Sequence, residues 1–192
     1  MWANAAEFDL IRSTLTSGVS GTAPKFDGII NLISKNATTN VTTHTSAVAW
    51  SATILDGLMK LNWDNSNGDV ATDIFMGSFL RTVTDGFTQK SNVVVNAPGI
   101  TSIVRTVASY ETAMGTLQVH KHRYISISGT DATDRVLLIN PSKWAIAYLQ
   151  KPYIDTGLAR SGDYDNRAVI GKFTPELHNA KSNVFADGFL RS

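Results

Sequence analysis

The residues best equipped for chemistry are two histidines, His120 and His122, set two apart in "LQVHKHRYIS". In an extended strand that spacing puts both imidazoles on one face, where two metal ligands can sit. A metal site needs at least a third ligand, and none stands at a recognisable spacing. Lys121 and Arg123 alternate with the pair, so a solvated strand surface is the better reading. Lys121, His122 and Arg123, followed by Tyr124, also form the only local basic knot of the sequence, a composition suited to touching a polyanion. Affinity for nucleic acid ordinarily takes several phosphate contacts, so here too a solvated strand edge comes first.

The acidic clusters are weaker candidates. "DNSNGD", Asp64 to Asp69, is oxygen-rich like a calcium loop, but it puts Asp69 where the pattern needs glycine and Phe75 where it needs the closing carboxylate. It reads as a turn between helices. Asp163 and Asp165 in "SGDYDN" lack a second acid across a cleft, which paired-carboxylate catalysis requires. No nucleophile elbow, P-loop or phosphate-binding glycine fingerprint is present. The absence of cysteine removes disulfides, thiolate chemistry and Cys-based zinc sites. No metal and no cofactor is therefore expected.

These residues belong to a chain of 192 residues, long enough to bury a core without staples. A formal charge of +1, from 17 basic against 16 acidic residues, argues against a dedicated nucleic-acid reader or a chain drawn to anionic membranes. Charged residues are 17% of the total, which suits a surface in extensive contact with other subunits. No apolar run has the length of a membrane span and the N-terminus lacks the pattern of a signal peptide, so no membrane contact is expected. Asn36-Ala37-Thr38 and Asn40-Val41-Thr42 match the glycosylation triplet by chance on that reading.

The first half reads as helical. Residues 2–16 predict a helix ending at Ser17-Gly18, with no start signal, like the tail of something longer. Pro24 is placed to open a second helix through Ile29, Ile30 and Ile33, and "NATTNVTTH" reads as a loop. A third helix starts at Thr45 or Ser46 and runs through Ala52, Leu55, Leu58 and Met59. A fourth, from 72 to 89, carries Phe75, Phe79, Val83 and Phe87 on one core-facing stripe.

After Pro98-Gly99 the period changes towards two. "TSIVRTVASYET", "GTLQVHKHRYISI" and the uniformly apolar "RVLLIN" predict strands, the last in the middle of a covered sheet and ended by Asn140-Pro141. "KWAIAYLQKPY" reads as extended because Pro152 restricts what precedes it. Val169, Gly171, Phe173, Pro175 and Leu177 alternate on one face of a further strand. A turn at His178 to Lys181 is expected to reverse it into a partner from Asn183 to Phe189, with Pro175 at an edge or a bulge.

The C-terminal stretch carries a family likeness. In "RVLLINPSKWAIAYLQKPYIDTGLARSGDYDNRAVIGKFTPELHNAKSNVFADG" an apolar strand and an Asn-Pro turn precede an aliphatic-aromatic run. The loop Leu158 to Asp163 then leads to a strand holding Thr174, Leu177 and Asn179. Lys172, where an acid is usual, and Pro175 depart from the pattern. "TSIVRTVASYETAMGTLQVHKHRYI" and "AAEFDLIRSTLTSGVSGTAPKFDGIINLISKN" continue the likeness through Tyr110 and Gly115 and back to the first helix. In this order the segments resemble the major capsid (major head) proteins of tailed phages, whose fold is shared with encapsulins and the herpesvirus capsid floor.

The resemblance implies an α+β capsid fold with an axial domain and a peripheral domain made of a spine helix and a long C-terminal β-hairpin. The family's N-terminal arm and extended loop would be lacking. Residues 1–20 would be the end of the spine helix, 21–150 the axial domain and 151–192 the peripheral strands. It implies a non-enzymatic shell subunit, present in the virion capsid and in the host cytoplasm during assembly. Its partners would be other copies, in pentamers and hexamers, with nonspecific contact to packaged DNA. Tyr153, Arg160, Asp163, Arg167, Phe173 and Phe185 would lie in or near the subunit contacts. The rivals are a small metal-dependent hydrolase built on His120 and His122 and a phage-tail module that binds host or carbohydrate; neither has a motif behind it.

Overall fold

A computed structural model describes residues 2–16, 25–87, 108–126, 133–156 and 167–191. Among these, four helices and eight strands make an α+β fold: α1 (Trp2–Arg12), α2 (Ile29–Asn36), β1 (Val41–Val48), α3 (Ala52–Ser66), β2 (Asp73–Met76), α4 (Ser78–Asp85), β3 (Ser109–Thr112), β4 (Gly115–Lys121), β5 (Thr133–Ile139), β6 (Trp144–Asp155), β7 (Ala168–Leu177) and β8 (Val184–Leu190). Six strands form a mixed sheet in the order β1-β8-β5-β2-β4-β3, and β6 and β7 form a separate two-stranded sheet.

Strand alternation divides the core between the two faces of the larger sheet. Val136, Leu138, Ile74, Met76, Val184 and Ala186 point to one face, where they meet Leu55, Leu58 and Met59 of α3 and Leu80 of α4. Leu137 and Phe185 point to the other, against Ile11 of α1 and Ile30 and Ile33 of α2. With helices on both faces, β5 must be apolar at successive positions, and Val136, Leu137 and Leu138 are 0%, 2% and 0% exposed. Each fully buried side chain of this size contributes about 1.5–3 kcal/mol of apolar transfer energy. The central strand expected from "RVLLIN" is thus observed.

Gly188 adjusts the parity of β8. Arg135 pairs with Asp187 and Asp134 with Phe189, so Gly188 is the extra residue of a bulge. Its φ of 86° lies in the left-handed region, and a Cβ there would meet the His44 carbonyl oxygen at 2.4 Å. The bulge returns Phe189 to the face of Val184 and Ala186, where its ring packs edge-on to Trp50 at 4.9 Å.

Several local expectations change. The first helix stops at Arg12, and the second starts at Ile29 after Gly28; Ser17, Gly18 and Pro24 lie outside the described residues. "VTTH", Val41 to His44, is not loop but the start of β1, whose threonines suit a strand and which pairs in parallel with β8. The third helix begins at Ala52, capped by Ser51, whose Oγ accepts from the Ile54 N–H. Residues 72–89 do not form one helix. Asp73–Met76 are drawn into the sheet between β4 and β5, and the helix starts only after Gly77. Phe79, Val83 and Phe87 keep their stripe against the first core cluster, while Phe75 packs with the second.

The largest correction concerns the C-terminal hairpin. β7 pairs with β6 and not with the segment after it. β8 instead lies inside the large sheet, between β1 and β5. Val184, Phe185 and Ala186 are buried in succession, a demand that only a sheet covered on both faces can meet. The long hairpin exists, but it is β6–β7.

Candidate subunit-contact surface

β6 and β7 form an arm. At about 3.3 Å per residue, a strand of the length of β6 extends for about 40 Å, and among the described residues each of the two strands has only the other as partner. Such a ribbon keeps one free backbone edge on each strand. Pro152 and Pro175, which have no N–H to give, fit this two-edged setting; Pro175 faces Ile146 across the pair. The register slips between Tyr148 and Gln150 and between Gln150 and Tyr153, each time with the extra residue on β6. The first slip leaves Leu149 as the unpaired residue, and Leu149 is 85% exposed.

Exposed apolar groups gather on this arm. Ile146, Tyr148, Leu149, Tyr153 and Ile154 on β6 and Val169 on β7 are exposed, against Phe8, Leu15 and Trp63 elsewhere among the described residues. Single exposed apolar residues are ordinary, whereas a run of them along a ribbon marks a surface that other protein covers.

The base of the arm is fastened by asparagines. The chain crosses from the sheet to the arm through a 3-10 turn at Pro141–Lys143 and returns through another at Ala180–Ser182. Asn183, fully buried, accepts at Oδ1 from the Asn140 N–H (3.1 Å) and from Trp144 Nε1 (2.9 Å), and its Nδ2 donates to the Asn179 carbonyl (2.8 Å). The His178 N–H donates to the Lys143 carbonyl at 2.9 Å, which joins the two crossings directly. Asn40 Nδ2 donates to the carbonyls of Lys181 (2.6 Å) and Asn183 (2.9 Å), and Asn62 of α3 also reaches Lys181 O. Asn40 is wholly buried in this network, so its glycosylation triplet is structural sequence. Outside the amides, Lys143 Nζ sits 2.9 Å from Asp69 Oδ2, and this hydrogen bond holds the Asp69 carboxyl below the usual carboxylate range. The segment Asp64 to Asp69, read from sequence as a turn between helices, is the end of α3 and the turn towards β2, with Asn67 in the left-handed cap position and Asp69 engaged at the arm's base.

The arm also meets the N-terminal segment. The Phe173 ring lies 5.5 Å from that of Phe26 and 6.1 Å from that of Tyr148. Thr16 and Lys25 exchange backbone hydrogen bonds at 3.1 Å, and Asp27, which accepts from Lys35 Nζ (2.6 Å) and the Leu15 N–H (2.8 Å), ties the residues just after α1 to those just before α2.

Of the residues expected at contacts, Tyr153 is exposed on β6 and Arg167 is exposed just before β7. Phe173 is half-buried between Phe26 and Tyr148. Phe185 is 5% exposed on the inner face of β8, with Arg135 over its ring, and has little side chain to offer a neighbour. Arg160 and Asp163 lie outside the described residues. Leu149, Ile146, Ile154 and Val169 are not among the contact residues expected from the sequence. Their signal was a run too apolar for one solvated ribbon, and the bulge that turns Leu149 outward leaves no mark in composition.

The two histidines pair with different carboxylates. His120 Nε2 lies 2.8 Å from Asp73 Oδ1 and stacks on Phe75, while His122 Nε2 lies 2.7 Å from Glu7 Oε1 on α1. Among the described residues no three His, Cys, Asp or Glu side chains form a metal-binding group. Lys121 and Arg123 are exposed and, with Ser78, His122, Ser126 and Arg191, line an open depression of about 490 Å³. No helix among them is long and apolar enough to cross a membrane.

The sequence model for the SU10 major capsid protein family matches residues 2–188. No curated protein matches the chain.

Proposed function

The chain belongs to the SU10 major capsid protein family, and from that membership we propose that it is the structural subunit of an icosahedral phage head, assembling with its own copies into the shell around the genome. The capsid resemblance and the virion role rest on the family match over nearly the whole chain. The observation that supports self-assembly is the exposed apolar run on β6–β7, a two-stranded ribbon that no other described strand of the chain pairs with.

On this reading the chain has two working parts. α1 and the β6–β7 arm form the peripheral part, and the six-stranded sheet with α3 and α4 the axial part; β8, although it follows the arm in sequence, goes with the sheet. Neighbouring arms pack along their edges, with Tyr153, Arg160, Asp163, Arg167 and Phe173 at or near the contacts and Phe185 supporting them from the core. Axial parts meet around the symmetry axes of pentamers and hexamers. Head-to-tail contacts of this kind close into rings, and many weak interfaces add up through multivalency. The subunit acts by contact and not by catalysis, in the virion after assembly in the host cytoplasm.

Electron microscopy of the expressed protein, together with sedimentation, tests the proposal. Closed shells or capsomer-sized rings are expected, and Leu149→Asp combined with Tyr153→Ala should return the protein to small species with its fold intact. Assembly that ignores both substitutions would refute the arm as the contact surface.

A further inference from the structure

The two slips in the arm fall close together and on the same strand. Tyr148 stands opposite Phe173 and Ile154 opposite Val169, so the five residues between them on β6 face only three on β7. β7 itself alternates without interruption, which puts Phe173, Gly171 and Val169 on one face, together with Tyr148 and Ile154. Two extra residues on one strand of a pair cannot be accommodated flat. Each bulge bends the strand that carries it and increases its twist.

Gly171 lies opposite the second slip. Its φ is outside the left-handed region, so backbone conformation alone would admit any residue there. Space would not. A Cβ on Gly171 would meet Pro152 Cα and Cγ at 3.2 Å and Pro152 Cβ at 3.4 Å. Carbon atoms that are not bonded to each other settle at about 3.5–4.0 Å. In a flat antiparallel pair, opposed Cα atoms stand about 4.5–5.5 Å apart and each Cβ points out of the ribbon. At Pro152, then, β6 leans over Gly171 on the face of Phe173 and Val169 instead of lying beside it. Proline, with no N–H, gives up no ladder bond by doing so.

We infer that the Gly171–Pro152 contact is a fixed bend in the arm, and that Gly171 is a positioning residue whose missing side chain sets the angle at which neighbouring copies meet, and with it the curvature of the shell. The inference rests on the shell reading given above and goes beyond it, because that reading requires only that the arm be covered. The bend divides the exposed run: Tyr148 and Leu149 precede it, Ile154 and Val169 follow it, and all four are exposed. A neighbour lying along the arm touches both limbs, so the angle between the limbs passes into the angle between copies. Head-to-tail contacts close only when each step repeats a rotation that closure allows. An alanine methyl at 171 must push Pro152 back by about 0.5 Å, which across the roughly 4.8 Å between paired strands opens the bend by about 6° at every contact of the lattice.

Gly171→Ala, Gly171→Val and Pro152→Ala in the full chain, compared with the unaltered chain by electron microscopy and sedimentation of the assembled particles, are the test. Glu176→Ala, exposed on the other face near the base of the arm, is the control. The unaltered chain should form shells of one diameter. Gly171→Ala should shift that diameter, or widen its spread, by about 10% or more, and Gly171→Val should do so further. Open sheets or tubes in place of closed shells are the same effect carried further. Pro152→Ala releases the fixed φ of the bend and should broaden the spread without adding a side chain at 171. It keeps the test decisive where a larger residue at 171 unfolds the arm, which circular dichroism and thermal melts record. Glu176→Ala should leave the diameter as it was, and an equal change there would show that the effect does not belong to the bend. Shells of the original size from Pro152→Ala and from every Gly171 variant that folds would overturn the bend while leaving the assembly reading in place. Absence of shells from the unaltered chain would sink the assembly reading, and the bend's role with it.

Discussion

Asn183 Oδ1 accepts a hydrogen bond from Trp144 Nε1 at 2.9 Å, across a separation of 39 residues, and so joins the first residue of the arm to the residue just before β8. The same oxygen takes the Asn140 N–H. One buried side chain thus closes the loop through which the arm leaves the sheet and returns.

Asn183→Leu should therefore cost about 2–4 kcal/mol, because it orphans a buried backbone N–H and an indole N–H together. Urea unfolding followed by tryptophan fluorescence measures this. A loss below about 0.5 kcal/mol would show that the clasp is dispensable.

The bulge in β8 makes two glycines a matched pair. Gly188→Ala places a methyl against the His44 carbonyl at a left-handed φ and should destabilise by more than about 1 kcal/mol. Gly57→Ala, inside α3 with nothing within 4 Å of the added carbon, should stabilise by up to about 1 kcal/mol. Thermal melts of the two variants should move in opposite directions.

The arm and the core should separate stability from assembly. Leu149→Asp changes an 85% exposed side chain and should shift unfolding by no more than about 0.5 kcal/mol while lowering assembly. Leu138→Ala empties a fully buried site and should cost about 2–5 kcal/mol. Comparable stability losses from the two would contradict the placement of Leu149.

Acid should loosen two fastenings. Lys143 holds the Asp69 carboxyl below its ordinary 3.8, and Lys35, helped by the Leu15 N–H, does the same for Asp27. A folded carboxyl titrating below its unfolded value binds fewer protons than the unfolded chain, so its contribution is complete above 3.8 and disappears as pH falls through the depressed values. The unfolding midpoint should drop below about pH 4. Asp69→Asn should make that drop shallower, and an unchanged profile would remove the Lys143 pair from the account.

Read without coordinates, the residues already determine what must be buried. Val136 to Ile139 demand a covered strand, Leu55, Leu58 and Met59 demand a helix with one inner face, and the restriction before Pro152 demands an extended β6. Each follows from chain-local physics, because side-chain period and backbone restriction act within a few residues. Much of the family likeness is legible for the same reason.

Tertiary structure decided the partners. An alternating β7 and an apolar β8 separated by a turn look like a hairpin locally, yet β8 needs cover on two faces and finds it between β1 and β5. Phe75 reads as part of a helical stripe until β4 and β5 claim it as strand. The clasp joins Asn40 to Lys181 across 141 positions, and Arg191 reaches the Lys121–Arg123 depression from the far end of the chain. Apolar pattern states how much surface must leave water, but it carries no record of which distant backbone will supply the hydrogen bonds, and that choice is made only when the whole sheet closes.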